Sequence, residues 1–137
     1  MWHILGRAFK LGGMHGRNPL PGFGLQGLHS DWPPRSRGEP CAVATALWLF
    51  DDFTPYNGAT RIVPRSHHKL GAIPKSYAQP HDRHPDEELV IAPAGSLLVF
   101  NGHLWHAGTL NRSSGPRRVA QVVFHGSELA NAYRSPE

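Results

Sequence analysis

The chain has 137 residues, 39% of them hydrophobic and 18% charged, with a formal net charge of +4. That length suits one domain with a sizeable core, and that balance excludes a disordered or membrane-embedded chain. Cys41 is the only cysteine, which excludes an intrachain disulfide and a thiolate metal cluster and fits a reducing, cytoplasmic setting.

Residues 1–9 carry little structural signal and no apolar stretch long enough for a signal peptide or a spanning helix. "KLGGMHGRNPLPGFG" (10–24) begins extended and breaks into a Pro/Gly loop. "LQGLHSD" (25–31) reads as a short strand ended by "WPPRSRGEP". "CAVATALWLFDD" (41–52) is an apolar run whose β-branched and aromatic content favours a buried strand over a helix. "FTPYNGA" (53–59) is a turn built on Asn-Gly, and "ATRIVP" (59–64) a strand stopped by proline.

Residues 65–87 form a long polar loop of the kind that carries function. "ELVIAPAGSLLVFNG" (88–102) gives two short strands around a Pro-Ala-Gly turn, and "HLWHAGTLN" (103–111) another. "RRVAQVVFH" (117–125) is the clearest strand of all, and a polar tail follows over 126–137. The 15 glycines and 13 prolines are scattered between these short apolar runs, as an all-β domain requires. Seven or eight strands of this length predict a sandwich, a barrel or a jelly roll, with no internal repeat.

The basic stretches "PPRSRGEP" (33–40) and "NRSSGPRR" (111–118) are neither continuous nor interleaved with aromatic residues. They read as solvated loops and anion-binding arginines, and neither a nucleic acid nor a membrane is an expected partner.

Chemistry concentrates around His29 and Asp31. In a strand, residues two apart project from one face, so both side chains could reach one ion while Ser30 turns away. Imidazole with carboxylate suits Fe(II), Mn(II) or Zn(II). By itself the pair reads more readily as the cap of a turn than as a metal site. Ten histidines are present and several compete for a third ligand position: His67 and His68, His81 and His84, His103, His125, and the N-terminal His3 and His15. His106 stands out by context, because it follows the apolar run "GSLLVFNGHLW" and precedes Gly-Thr and a turn. Two histidines and one carboxylate on a β scaffold make the facial triad of non-haem iron oxygenases. Such a site needs an anchor for an organic cosubstrate, and the planar fork of arginine pairs with a carboxylate through two parallel bonds. Arg117 and Arg118 open the last strand on opposite faces, so only one can reach the interior.

Taken in order, "LQGLHSDW", "NGATRIVPRSHH" and "AGSLLVFNGHLWHAGTLNRSSGPRR" resemble the phytanoyl-CoA dioxygenase family of Fe(II)/2-oxoglutarate oxygenases, in its bacterial branch, from about residue 10 to about residue 125. The resemblance implies a mainly β fold, a double-stranded β-helix or jelly roll of cupin-like type, as one domain over 1–137 with core strands at about 10–125. It implies that His29, Asp31 and His106 hold Fe(II), and that 2-oxoglutarate is the cosubstrate. Family spacing puts the cosubstrate arginine eleven residues after the distal histidine, which selects Arg117. A small organic molecule would be hydroxylated with O2 while 2-oxoglutarate becomes succinate and CO2. The walls of its pocket are expected from 65–87 and 10–24.

Three departures from the family pattern stand out. Arg65 occupies a position that is usually glycine, Gly108 one that is often serine, and little or no N-terminal helical bracing precedes the first core strand. The last departure supports a rival reading, a truncated or degenerate module that binds metal without catalysis. A cupin-type isomerase is a weaker rival, since its closely spaced H-x-H with a downstream glutamate is not found.

Overall fold

The computed structural model describes residues 1–6 and 8–127, so most of the polar tail expected over 126–137 lies outside the described residues. In chain order the elements are a single helical turn α1 (Trp2–Leu5), β1 (Phe9–Arg17), β2 (Val43–Leu49), β3 (Thr60–Ile62), β4 (Glu88–Leu89), β5 (Leu97–Asn101), β6 (His106–Gly108) and β7 (Val119–Gly126). Two antiparallel sheets face each other as a jelly roll, one in the order β1-β7-β2-β5 and the other β4-β3-β6.

The larger sheet follows from the period-2 patterning of its sequences. In β2, Val43, Thr45, Leu47 and Leu49 share one face. The register sets Leu47 opposite Gln121 on one side and Leu98 on the other, and Leu49 opposite Val119. That inner face supplies Leu47, Leu49, Phe100 and Val119 to the main core, where they meet Phe53, Ala59 and Leu104 from the loops, with Ile62 and Leu89 of the second sheet packed against them. Each large side chain buried this way contributes about 1.5–3 kcal/mol. A second cluster, Leu28, Val63, Trp105 and Ala107, packs beneath Ile73 and Tyr77 of the long loop. The outer face of the large sheet leaves Leu11, Met14, Trp48 and Leu97 exposed, with α1 lying against β2. No helix among the described residues is long and apolar enough to cross a membrane.

The turn at 53–59 forms as expected. Asn57 accepts a hydrogen bond from the Thr54 amide (2.9 Å) and donates to the Asp52 carbonyl (2.6 Å), while Gly58 takes a positive φ of 81°.

The strand expected at 25–31 does not form. Only His29 makes a β-bridge, to His106. The segment runs beside β6 through spaced bonds, from the Gln26 amide to the Gly108 carbonyl (3.1 Å) and reciprocally between His29 and His106 (3.0 and 2.9 Å). Gly24 at φ 96° interrupts the extended backbone. Gly27 sits so close to the Ala78 carbonyl that a Cβ would lie 1.9 Å from its oxygen. A continuous ladder cannot pass these two points.

Arg65 is the one non-glycine residue with positive φ among those described (62°), at the entry to a 3-10 turn over Ser66–His68. A glycine is the residue this conformation favours, since a side chain there costs about 1–2 kcal/mol. Arg65→Gly is therefore expected to stabilise the fold by up to about 1 kcal/mol, because glycine's extra unfolded-state entropy offsets part of the relief. Denaturant midpoints of the two proteins check this, and a lower midpoint for the variant would contradict it.

Candidate metal centre

His29, Asp31 and His106 converge so that one donor atom from each lies within 4.8 Å of the other two. His106 Nε2 is 3.5 Å from Asp31 Oδ1, a separation suited to two ligands with bonds of roughly 2.0–2.2 Å to one ion. The imidazole rings lie 4.4 Å apart, tilted by 54°. The backbone bridge between residues 29 and 106 brings the two rings together: β6 carries His106, and the irregular segment beside it carries His29 and Asp31.

Each ring is held from behind in the same manner. His29 Nδ1 lies 3.0 Å from the Gly27 carbonyl, and His106 Nδ1 lies 2.9 Å from the Leu104 carbonyl. A carbonyl can only accept, so each Nδ1 carries the proton and each Nε2 keeps its lone pair for the ion. Burial pushes the His106 imidazole below its ordinary range, opposed by the nearby Asp31 charge and reinforced by His29. A neutral ring is the form that ligates a metal. The Thr45 hydroxyl donates to Asp31 Oδ2, which leaves Oδ1 for the ion. The donor set thus fits a divalent metal by chemistry, by distance and by the orientation of its lone pairs.

These side chains line a cavity of about 380 Å³ together with Leu47, Phe100 and Arg117. Arg117 is only 5% exposed. Its guanidinium donates to the Gly58 carbonyl (2.8 Å) and stacks 4.5 Å from the Phe53 ring centre. Its Nε has no hydrogen-bond partner among the described residues. Burial draws its pKa down to about 10, partly opposed by Asp51, so it remains a cation at neutral pH. Arg118 points the other way. Its backbone amide (2.6 Å), Nε (3.0 Å) and Nη2 (2.7 Å) all donate to the Asp51 carboxylate. The hydrogen bond from the Arg118 side chain is the main cause that holds Asp51 at about 2. Of the two arginines, Arg117 shares the cavity with the three candidate ligands.

The other histidines lie elsewhere. His67 and His68 stack on each other in the 3-10 turn, and His84 packs against Tyr77 and Trp105. His103 is buried 3.8 Å from Glu39. The pocket walls divide unequally between the two expected segments. Gly16, Arg17, Asn18, Pro19 and Gly24 line the cavity, but no residue of 65–87 does. That loop covers the second apolar cluster instead, and Pro80, His81, Arg83 and Glu87 border a separate, smaller cavity. Gly108 lines the main cavity where the family often has serine. A Cβ there would stand 2.5 Å from the Gly24 carbonyl oxygen, so this chain has room only for glycine. Thr109 does not take over the position, since its hydroxyl donates to the Ala59 carbonyl (2.8 Å) and it borders the smaller cavity.

Sequence reasoning passed over Arg61, which is 1% exposed. Its Nη1 donates to the Asp82 carbonyl (2.7 Å) and Glu87 Oε2 (2.8 Å), and its Nη2 to the carbonyls of Gln26 (3.0 Å) and Pro80 (3.4 Å). It ties loop 79–87 to the residue preceding Gly27, and so to the backbone behind His29. One signal was available: a lone cation inside "ATRIVP" demands a buried partner. Thr45, set between alanines, gave none.

The family profile described as Phytanoyl-CoA dioxygenase (PhyH) matches residues 7–119. Dioxygenase trt7 of Aspergillus terreus is 33% identical over 106 residues, which cover 72% of this chain and 35% of that protein. Dioxygenase andF of Emericella variicolor is 30% identical over 115 residues, covering 77% and 37%. The chain therefore spans about a third of the length of these curated relatives. Among solved structures, HygX from Streptomyces hygroscopicus with nickel and 2-oxoglutarate bound superimposes with a TM-score of 0.77 at 15% identity, over 92% of this chain and 59% of that one. EvdMO1 does so with a TM-score of 0.73 at 22% identity, over 90% and 29%. These likenesses carry the fold. The profile match over most of the chain, with relatives at 30% identity and above, makes it a member of the phytanoyl-CoA dioxygenase family.

Proposed function

We propose that this chain is an Fe(II)- and 2-oxoglutarate-dependent dioxygenase that hydroxylates a small organic substrate. His29, Asp31 and His106 would hold the iron, and Arg117 would anchor the cosubstrate. The observation that carries the reading is the meeting of two imidazole lone pairs, one free carboxylate oxygen and one buried guanidinium in a single cavity. Bound Fe(II) supplies the redox chemistry that joins O2, 2-oxoglutarate and a C–H bond to give succinate, CO2 and an alcohol.

The chain's own part is binding and orientation. The carbonyls of Gly27 and Leu104 fix both imidazole tautomers, and the Thr45 hydroxyl engages one oxygen of Asp31, which would leave the other for the ion. Arg117 offers a charged fork in a partly desolvated wall, where a carboxylate gains more than it would in water. With one carboxylate of 2-oxoglutarate at the metal and the other on Arg117, the cosubstrate would be fixed at both ends.

The test is conversion of 2-oxoglutarate to succinate with added Fe(II) and ascorbate. Arg117→Ala is expected to weaken 2-oxoglutarate binding by roughly 10–100-fold, the loss of a charge-assisted pair, and to leave metal binding intact. Arg118→Ala should change it less than about two-fold, as a surface pair does. If Arg118→Ala alone abolished binding, the anchor would be the wrong arginine. Folded protein that binds Fe(II) but never 2-oxoglutarate would favour the rival reading of a metal-binding module without catalysis.

A further inference from the structure

Resting on the dioxygenase reading, we propose that Arg17 is the specificity-determining residue of this cavity, and that the primary substrate carries a small anionic oxygen group, which Arg17 receives. Arg17 closes β1 opposite Val119 of β7. Val119 is buried and faces the cavity, so its cross-strand partner faces the same way. Arg17 therefore stands on the inner face beside the stretch that carries Arg117 and Gln121, and all three line the cavity.

Arg17 is an exposed member of the cavity lining, with one hydrogen bond to direct it. Nε donates to Gln121 Oε1 at 2.7 Å, while the two Nη groups form no ion pair with any described carboxylate. The part of a guanidinium that pairs with an oxoanion is thus left open, on a side chain tethered through its Nε alone. Asn18, next in the chain, lines the same cavity with an amide.

Charge sharpens the assignment. Among the described residues, Asp31 is the only acid lining the cavity, against Arg17 and Arg117. A divalent metal and two arginines, set against one aspartate and dianionic 2-oxoglutarate, leave one unit of positive charge. Both carboxylates of 2-oxoglutarate are already committed, one to the metal and one to Arg117. The remaining cation therefore selects a second molecule. A cavity of about 380 Å³ lies in the range that encloses a drug-sized ligand, more than a five-carbon diacid fills.

The test uses protein loaded with Mn(II) and saturating 2-oxoglutarate, with hexanoate and hexanamide as probes of nearly equal shape. Paramagnetic relaxation of their protons reports binding near the metal without turnover. Hexanoate should bind roughly ten-fold more tightly than hexanamide, the scale of a charge-assisted bond. Arg17→Gln should remove that preference, and Arg17→Lys should keep part of it. Across the same variants, 2-oxoglutarate affinity should change less than about two-fold. Displacement of hexanoate by inorganic phosphate would widen the class to oxoanions in general, and no displacement would narrow it to carboxylates. Equal binding of acid and amide overturns the proposal. So does an Arg17→Gln protein that loses 2-oxoglutarate as strongly as hexanoate, because Arg17 would then serve the cosubstrate. Wild-type protein that binds no 2-oxoglutarate, read before any probe is added, sinks the dioxygenase reading itself and this inference with it.

Discussion

Asp31→Ala is expected to lower Fe(II) affinity by well over the roughly 10–100-fold that loss of an outer hydrogen bond costs. The two imidazoles are neutral ligands, so Asp31 is the one anionic donor among the three converging groups. Removing it takes away both a bond and the charge that offsets the ion. Asp31→Asn keeps the shape and removes only the charge, and should rank with the alanine variant. Thr45→Val leaves all three ligands in place and frees Asp31 Oδ2 from its hydroxyl donor, so its effect should stay within about 10–100-fold. The alanine variant should still fold, because the Thr45 hydroxyl left without an acceptor costs only about 1–3 kcal/mol. Anaerobic metal titration with calorimetric detection gives all three affinities. An Asp31→Ala protein that binds Fe(II) within ten-fold of wild type would remove Asp31 from the proposed ligand set.

The second large effect lies behind the cavity. Arg61→Met should destabilise the protein by about 3–5 kcal/mol, because it leaves the Glu87 carboxylate without its buried partner. Glu87 is only 14% exposed and meets Arg61 at 2.8 Å; its other ion-pair partner, Arg83, is largely in solvent. Three carbonyls, of Gln26, Pro80 and Asp82, lose donors as well. Arg61→Met combined with Glu87→Gln should recover part of the loss, since the stranded charge goes and the missing carbonyl donors stay missing. Urea unfolding of the four proteins completes the cycle. A loss under 1 kcal/mol for the single variant would show that loop 79–87 holds itself together without Arg61.

The sequence was most readable where burial dictates composition. The runs 41–52 and 117–125 became β2 and β7 because most of their residues are apolar or small and their partners run alongside for most of their length. The segment 25–31 was misread because alternation there reflects a site rather than a ladder. His29 and Asp31 face the same cavity, yet Gly24 and Gly27 hold the backbone in positions that no regular strand allows. The two arginines at 117 and 118 could not be separated by alternation alone, which says that they diverge but not which way. Asp51, which draws Arg118 outward, lies far off in the sequence and signals nothing from there. The long loop was expected to wall the pocket because it is long and polar. Instead, Arg61 and the apolar cluster around Trp105 pull it to the other side of the small sheet.

The carbonyls behind the two imidazoles have a consequence for how this site can change over generations. Both belong to the main chain, each two residues before its histidine, at Gly27 and Leu104. A change of side chain at either position leaves the acceptor in place, so point substitutions there cannot retune the basicity of the ligands, although they can break the packing. The hydroxyl of Thr45 is the adjustable contact, the one outer partner in this trio supplied by a side chain. Variation that shifts metal preference or reactivity without loss of the ion is therefore channelled to position 45, and a library randomised there would sample it most directly.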